Sequence, residues 1–305
     1  MFELKRGINF PPLNGWNIGK ELAQEKYLLI AKEAGFDHIR YPYYIEWTNQ
    51  DPVSRVDAFR IIHDMAEMTI QYGLVPIVDI HGFEQLNARP RELCDSFAEM
   101  WTVLADTLKD LDERVIFEIF NEPSGKLDDP VLLNDMQNRV IRAIRKTNPT
   151  RTILAATAHM NVIENLQYIQ LPEDDENIVV TIHDYTPMEF THQGADWCVP
   201  MYPKGVRWSG TEEERDLLRK RMDIAADWAQ KNNRKLLMGE FGVYDRVNME
   251  ERAAWTEYMV ALMEERGIAW CYWAFAHTFS AYDLDKDCWI EPILKALMVN
   301  ANKVE

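Results

Sequence analysis

Two hydrophobic periodicities alternate along the 305-residue chain. Short runs rich in β-branched and aromatic residues fall at 5–10 (KRGINF), 38–44 (HIRYPYY), 74–81 (LVPIVDIH), 115–121 (VIFEIFN), 152–158 (TILAATA), 178–185 (IVVTIHDY), 236–241 (LLMGEF) and 269–275 (AWCYWAF). Their composition and length are those of buried strands. Between them apolar residues recur at helical spacing. Over 57–73, Phe59, Ile62, Ala66 and Ile70 make one helical face and Gly73 supplies a stop. Similar patterns occupy 20–34, 91–111, 130–147, 213–231, 250–266 and 291–299, with a shorter one near 160–169. Eight strand–helix alternations predict an α/β fold, a (β/α)8 TIM barrel. No linker, repeat or low-complexity tract interrupts them, so residues 1–305 read as one domain. A doubly wound open sheet is the competing architecture. It needs a G-x-G-x-x-G turn after its first strand, and none follows 5–10.

Composition narrows the partners. With 47% hydrophobic residues the chain can bury a large core, and its formal net charge of -17 is spread along its length. That field disfavours nucleic acid and anionic membranes and suits a neutral ligand. No apolar run reaches 18 residues, and MFELKRGINF has neither an apolar core nor a cleavage site. The chain as it stands reads as soluble and cytoplasmic, or as a secreted protein whose signal peptide has been removed. Cys94, Cys198, Cys271 and Cys288 form no CxxC pair and no zinc spacing, so free thiols are expected, with no metal and no cofactor. Nothing in the pattern specifies an oligomeric state.

In a TIM barrel the catalytic groups sit at the C-terminal strand ends. Here those ends carry Arg40, His81, Asn121 with Glu122, His183 with Tyr185, Glu240, and Trp273. Singly, each has a structural explanation: an internal ion pair, a satisfied core histidine, a barrel-filling ring. Polar, ionisable or aromatic groups at six of eight ends are much harder to attribute to packing. Alternation along the strands puts Arg40 on the face of His38, His81 on that of Asp79, and Glu122 on that of Glu118. A polar layer beneath the site is therefore expected, with His38, Asp79 and Glu118 offsetting one another and Arg40.

Glu122 and Glu240 are predicted to face each other across the barrel mouth. Two facing carboxylates are the minimum requirement for glycoside hydrolysis, one as acid and one as nucleophile or base. The acid must keep its proton, which a neighbouring carboxylate favours. The nucleophile must stay ionised, which Arg40 and the Tyr185 hydroxyl favour. Competing barrel chemistries fare worse. A metal-dependent amidohydrolase needs H-x-H at the first strand end, which reads GINF, and a Schiff-base aldolase needs an inward strand lysine, whereas Lys5 only begins a strand. A non-catalytic sugar-binding barrel would be expected to lack one of the two glutamates.

Together, IFEIFNEP, LLMGEFGVYD, HIRYPYY, VDIHG, TIHDY and CYWAF resemble glycoside hydrolase family 5 over residues 5–297. HDYTPMEFTHQGADW (183–197) and GEFGVYDRVNMEERAAWTEYM (239–259) are similar to its bacterial branch of endoglucanases with side activity on mannan. The resemblance implies a retaining, endo-acting β-glycanase with Glu122 as acid/base and Glu240 as nucleophile, their carboxyls about 5–5.5 Å apart. It also implies that Asn121 bonds the sugar 2-OH, that His183 and Tyr185 orient the two glutamates, and that Arg40 serves Glu240. His81 would hold the sugar at the cleavage subsite and Trp273 would floor it. Three positions depart from the pattern: Gly82 replaces a histidine, Ala274 replaces an acidic residue, and NFPPLNGWNIG replaces a G-N-x-L-E loop. The loss of a donor at Gly82 disfavours mannan. A neutral β-1,4-glucan, as polysaccharide or oligosaccharide, is the expected substrate, with mannan, mixed-linkage glucan or xyloglucan next. Trp197 and Trp208, in the long 186–210 connection, and Trp16 and Trp47 are candidate subsite rings. The alternative is that such rings pin their loops to the barrel.

Overall fold

The computed structural model describes residues 4–11, 13–14, 25–44, 52–82 and 84–300. Eight parallel strands form its centre: β1 (Arg6–Asn9), β2 (His38–Tyr44), β3 (Val75–His81), β4 (Ile116–Glu118), β5 (Ile153–Ala155), β6 (Ile178–His183), β7 (Leu236–Glu240) and β8 (Ala269–Tyr272). Each pairs with its sequence neighbours, and β1 pairs with both β2 and β8, through Gly7↔His38 and Gly7↔Cys271, which closes the barrel. All eight predicted strands are present. Several end earlier than their apolar runs: β4 stops at Glu118, so Asn121 and Glu122 stand just above it in the βα loop.

Helices Glu25–Ala34, Pro52–Gln71, Pro90–Thr107, Pro130–Ile144, Glu212–Asn232, Met249–Glu265 and Glu291–Leu297 surround the strands. Their starts follow local chemistry. Asp129 accepts from the Val131 backbone N–H at 2.9 Å while Pro130 occupies the first helical turn, where a missing N–H costs nothing. Thr211 and Glu214 cap each other's backbone in the same way at the next long helix. The stretch expected as helix near 160–169 is instead a 3₁₀ turn, Ile163–Tyr168. It follows three consecutive left-handed residues, His159, Met160 and Asn161. Their departure from helical φ is where the predicted helix fails, and it places Asn161 beneath the cleft.

Side chains alternate across every strand. Ile39, Tyr41 and Tyr43 of β2 point outward to the helices, as do Val78 and Ile80 of β3 and Trp270 and Tyr272 of β8. Inside, the lower layer is apolar: Val75, Ile77, Ile116, Leu154, Val179 and Leu237 pack together. Above it lie Arg40, Asp79 and Glu118, each fully buried. His38 does not join that polar layer. It is level with Val75 in the ladder, and its Nδ1 meets Asp37 at 2.6 Å, a carboxylate at the strand's entrance. Sequence parity fixes the face of a residue but not its depth. No described helix is long and apolar enough to cross a membrane.

Candidate active site

Arg40 is the hub. Its Nε and Nη2 meet the two Glu118 oxygens at 2.6 and 2.9 Å, and Nη2 also lies 3.0 Å from Asp79 and 2.7 Å from the Asn121 Oδ1. Nη1 donates to Glu240 Oε1 at 2.8 Å and to Asn9 Oδ1 at 2.9 Å. The planar guanidinium can hold this many acceptors at once, which a lysine could not. Buried carboxylates are tolerable here because each has such a donor. Burial still pushes Asp79 and Glu118 up to about 7 against the opposing pull of Arg40.

Glu240 is reached by both of its oxygens: Oε1 by Arg40, Oε2 by the Tyr185 hydroxyl at 2.8 Å. Burial raises the Tyr185 pKa well above its ordinary value, so the phenol remains a donor. Glu240 comes opposite His183 because the β6–β7 ladder shifts register after Ile182↔Met238, skipping Gly239. A Cβ on Gly239 would lie 2.5 Å from Thr181 Oγ1 and 2.9 Å from His183 Nε2. One on Gly242 would lie 2.3 Å from the Trp273 carbonyl oxygen. The GEFG motif therefore packs glycines tightly against the site on both flanks of the glutamate.

Glu122 stands at the rim with its side chain 31% exposed, and His183 Nδ1 contacts its Oε1 at 2.8 Å. The Asn161 amide nitrogen faces His183 Nε2 at 3.3 Å and also donates to the Asn121 carbonyl. Nε2 must then be the acceptor, and Nδ1 carries the proton directed at Glu122 Oε1. An acidic proton on Glu122 belongs on its other oxygen. Burial holds His183 down to about 4, so it remains neutral. Glu122 itself is raised, and the leading cause is burial rather than the neighbouring carboxylate expected from sequence. An oxygen of Glu122, an oxygen of Glu240 and a ring nitrogen of His183 lie within 4.8 Å of one another.

His81 has both nitrogens engaged. Nδ1 bonds Asp79 at 2.6 Å, and Nε2 accepts from the Asn121 amide at 3.1 Å. Its ring stacks on Trp273 at 5.7 Å and 13° and meets Tyr44 at 4.9 Å, tilted by 50°. His81 thus orients the Asn121 amide, leaving one amide N–H of Asn121 available, and has no free nitrogen with which to hold a sugar.

The loop rings divide. Trp197 is 48% exposed and packs on Tyr244 and Phe279, the latter 5.9 Å from Tyr185. Trp208 is only 3% exposed, packed on Tyr258, so it pins the loop and offers no ring face to the cleft. Trp16 and Trp47 lie outside the described residues. Sequence reasoning passed over Asn9, whose amide bonds the Gly239 carbonyl at 2.9 Å and ties β1 to the nucleophile's strand. It also passed over Asn161 and Tyr44. For Asn9 and Tyr44, each the last residue of a strand, there was a signal of the kind used for the others; for Asn161 there was none.

The cellulase (glycosyl hydrolase family 5) profile matches residues 3–278. Endoglucanase H of Acetivibrio thermocellus is 29% identical over 90% of this chain, which spans 30% of that protein's length. Cellodextrinase A of Ruminococcus flavefaciens is 28% identical, with 87% of this chain and 83% of that one aligned. A hyperthermophilic endo-β-1,4-glucanase solved in complex with substrate superposes with a TM-score of 0.89 at 32% identity, covering 97% of both chains. Thermotoga maritima Cel5A in complex with mannotriose gives 0.88 at 33%, covering 96% of this chain and 97% of that one. The chain is a glycoside hydrolase and belongs to glycosyl hydrolase family 5, the cellulase family.

Proposed function

We propose that residues 1–305 act as one catalytic barrel, a retaining endo-β-1,4-glucanase. The observation that carries the reading is that an oxygen of Glu122 lies within 4.8 Å of an oxygen of Glu240. Retaining enzymes hold their carboxyls about 5–5.5 Å apart, whereas inverting ones leave about 6.5–9.5 Å for a water. Glu240, bound by Arg40 and Tyr185, attacks the anomeric carbon while Glu122 gives its proton to the departing oxygen. Water then cleaves the glycosyl-enzyme, with Glu122 as base. The free amide N–H of Asn121 meets the sugar 2-OH, His183 fixes the orientation of Glu122, and Trp273 floors the cleavage subsite. His81 acts through Asn121. Trp197 serves as a stacking platform beyond Tyr185.

The glucan preference rests on the relatives named as endoglucanases and on the neutral ligand that this acidic chain suits. The second reading, mannan, is favoured by the mannotriose complex of the similar Thermotoga maritima protein. Assays on carboxymethyl cellulose, barley β-glucan, xyloglucan and glucomannan rank the substrates, with glucan cleavage expected to be fastest. The first products should be β-configured by NMR, and Glu240→Ala should lower kcat on the order of 10⁶-fold, as loss of a covalent nucleophile does elsewhere. Products of α configuration, or Glu240→Ala hydrolysing at the wild-type rate, would overturn the mechanism.

A further inference from the structure

The wall formed by Tyr44, His81 and Trp273 holds more chemistry than the mechanism uses. Tyr44 is the last residue of β2 and pairs in register with His81, the last of β3. Its side chain packs over the imidazole at 4.9 Å while 37% of the residue stays open to solvent. It occupies that place because position 82 has no side chain. A Cβ on Gly82 would lie 2.3 Å from Tyr44 Cδ1 and 2.5 Å from Cε1, distances no real Cβ tolerates. Gly82 also has φ +71, a left-handed backbone that disfavours any other residue. Tyr44 and Gly82 are thus one unit: the phenol fills the volume that a side chain at 82 would need.

The polar inventory of this wall points to what the phenol does. Both His81 nitrogens are taken, by Asp79 and Asn121. Trp273 offers mainly a ring face, stacked on His81. The Tyr44 hydroxyl has no hydrogen-bond partner among the described residues, and it lies in the field of Glu240, Asp79 and Glu122. Burial and that field push it up to about 12. It is therefore a protonated donor, attached to the wall beside both catalytic carboxylates.

We propose that Tyr44 is a substrate-contacting, specificity-determining residue whose hydroxyl bonds a sugar hydroxyl at the cleavage subsite, in the space that Gly82 leaves open. This rests on the glycanase reading above, since the partner is a sugar bound against Glu122 and Glu240. It gives a physical account of the Gly82 departure: the donor lost at 82 is replaced from the neighbouring strand.

The test combines kinetics with stability. Wild type, Tyr44→Phe and Tyr44→Ala are assayed on cellotetraose and mannotetraose. Tyr44→Phe keeps the ring and loses only the hydroxyl, so kcat/KM on the preferred tetraose should fall about 5- to 10-fold, the worth of one hydrogen bond. The cello/manno ratio should change with it, and Tyr44→Ala should cost more than Tyr44→Phe. Thermal unfolding of Gly82→Ala, alone and with Tyr44→Ala, tests the shared volume. The double variant should unfold at a higher temperature than Gly82→Ala alone, because the clash is gone. If Tyr44→Phe stays within twofold of wild type on both sugars with an unchanged ratio, the contact does not exist. If the second substitution fails to relieve Gly82→Ala, the shared-volume argument fails. Wild type that cleaves neither tetraose overturns the glycanase reading and this inference with it, whereas an active wild type with an indifferent Tyr44→Phe overturns this inference alone.

Discussion

The lower and upper halves of the barrel interior are built from the same strands and solve opposite problems. Below, Val75, Ile77, Ile116, Leu154, Val179 and Leu237 pack together as an apolar cluster, with His38 level with Val75. Two residues further along β2, β3 and β4, the inward positions are Arg40, Asp79 and Glu118, all fully buried. The lower layer gains free energy from burial alone, about 1.5–3 kcal/mol for each large aliphatic side chain. The upper layer loses hydration and recovers it only through hydrogen bonds to one guanidinium. The contrast shows why the site is at this end. The apolar layer supplies stability through non-directional burial, and the charged layer uses part of it to hold Glu240, Asn121 and His81 in fixed orientations.

Breaking the upper layer should have the largest effect. Arg40→Met keeps much of the volume but leaves Asp79, Glu118 and Glu240 facing one another with no cation, and Asn121 Oδ1 without its donor. Removing one partner of a buried ionic network costs roughly 3–5 kcal/mol, and we expect a loss of that size in chemical denaturation. In the fraction still folded, kcat should fall by at least about 100-fold, since a catalytic carboxylate has lost a preorganised donor. An Arg40→Met protein with wild-type stability would show that the three carboxylates do not depend on the guanidinium.

The two halves also differ in how far they were legible from sequence. The eight strands were readable because a buried parallel strand must be an apolar run, and the helices because their faces repeat at 3.6 residues. Glu122, Glu240, His183 and Arg40 were readable because a polar group at the end of such a run needs a reason. Depth inside the barrel was not readable: His38 shares the face of Arg40 but sits at the bottom with Asp37. Nor was Asn161, which lies in a left-handed turn whose conformation AHMN does not announce. Tyr44 was hidden for a different reason. In HIRYPYY it is one aromatic among three, and only the missing Cβ at Gly82, 38 residues away, reveals its place. Trp208 shows the reverse error, since an aromatic in a long loop was as consistent with pinning as with binding, and burial decided it.

Breaking the lower layer should act on stability alone. Leu154 is fully buried and lies beside Val179 in the β5–β6 ladder. Leu154→Ala opens a cavity in a layer that strands hold rigidly, at about 2–5 kcal/mol. Because the apolar layer touches no reacting group, kcat at a temperature where the variant is folded should equal that of wild type. A large fall in kcat with intact folding would mean that the two layers are mechanically coupled and that the division drawn above is wrong.

The finest test separates the layers by pH. Asp79 and Glu118 are raised to about 7, chiefly by burial, from ordinary values of 3.8 and 4.5. Between roughly pH 4 and 7 the folded protein therefore holds protons that the unfolded chain has released, and its stability falls as pH rises through that window. Glu118 alone accounts for roughly 3 kcal/mol of this loss, at about 1.4 kcal/mol per pH unit. Glu118→Gln removes the titrating group while keeping the side-chain length, so denaturation curves at pH 5 and pH 8 should give more nearly equal stabilities than in wild type. Leu154→Ala should lower both by the same amount, since it removes no titrating group. A wild-type stability that rises from pH 5 to pH 8, or a Glu118→Gln protein with the full wild-type slope, would place the protons elsewhere and leave the upper layer ionised throughout.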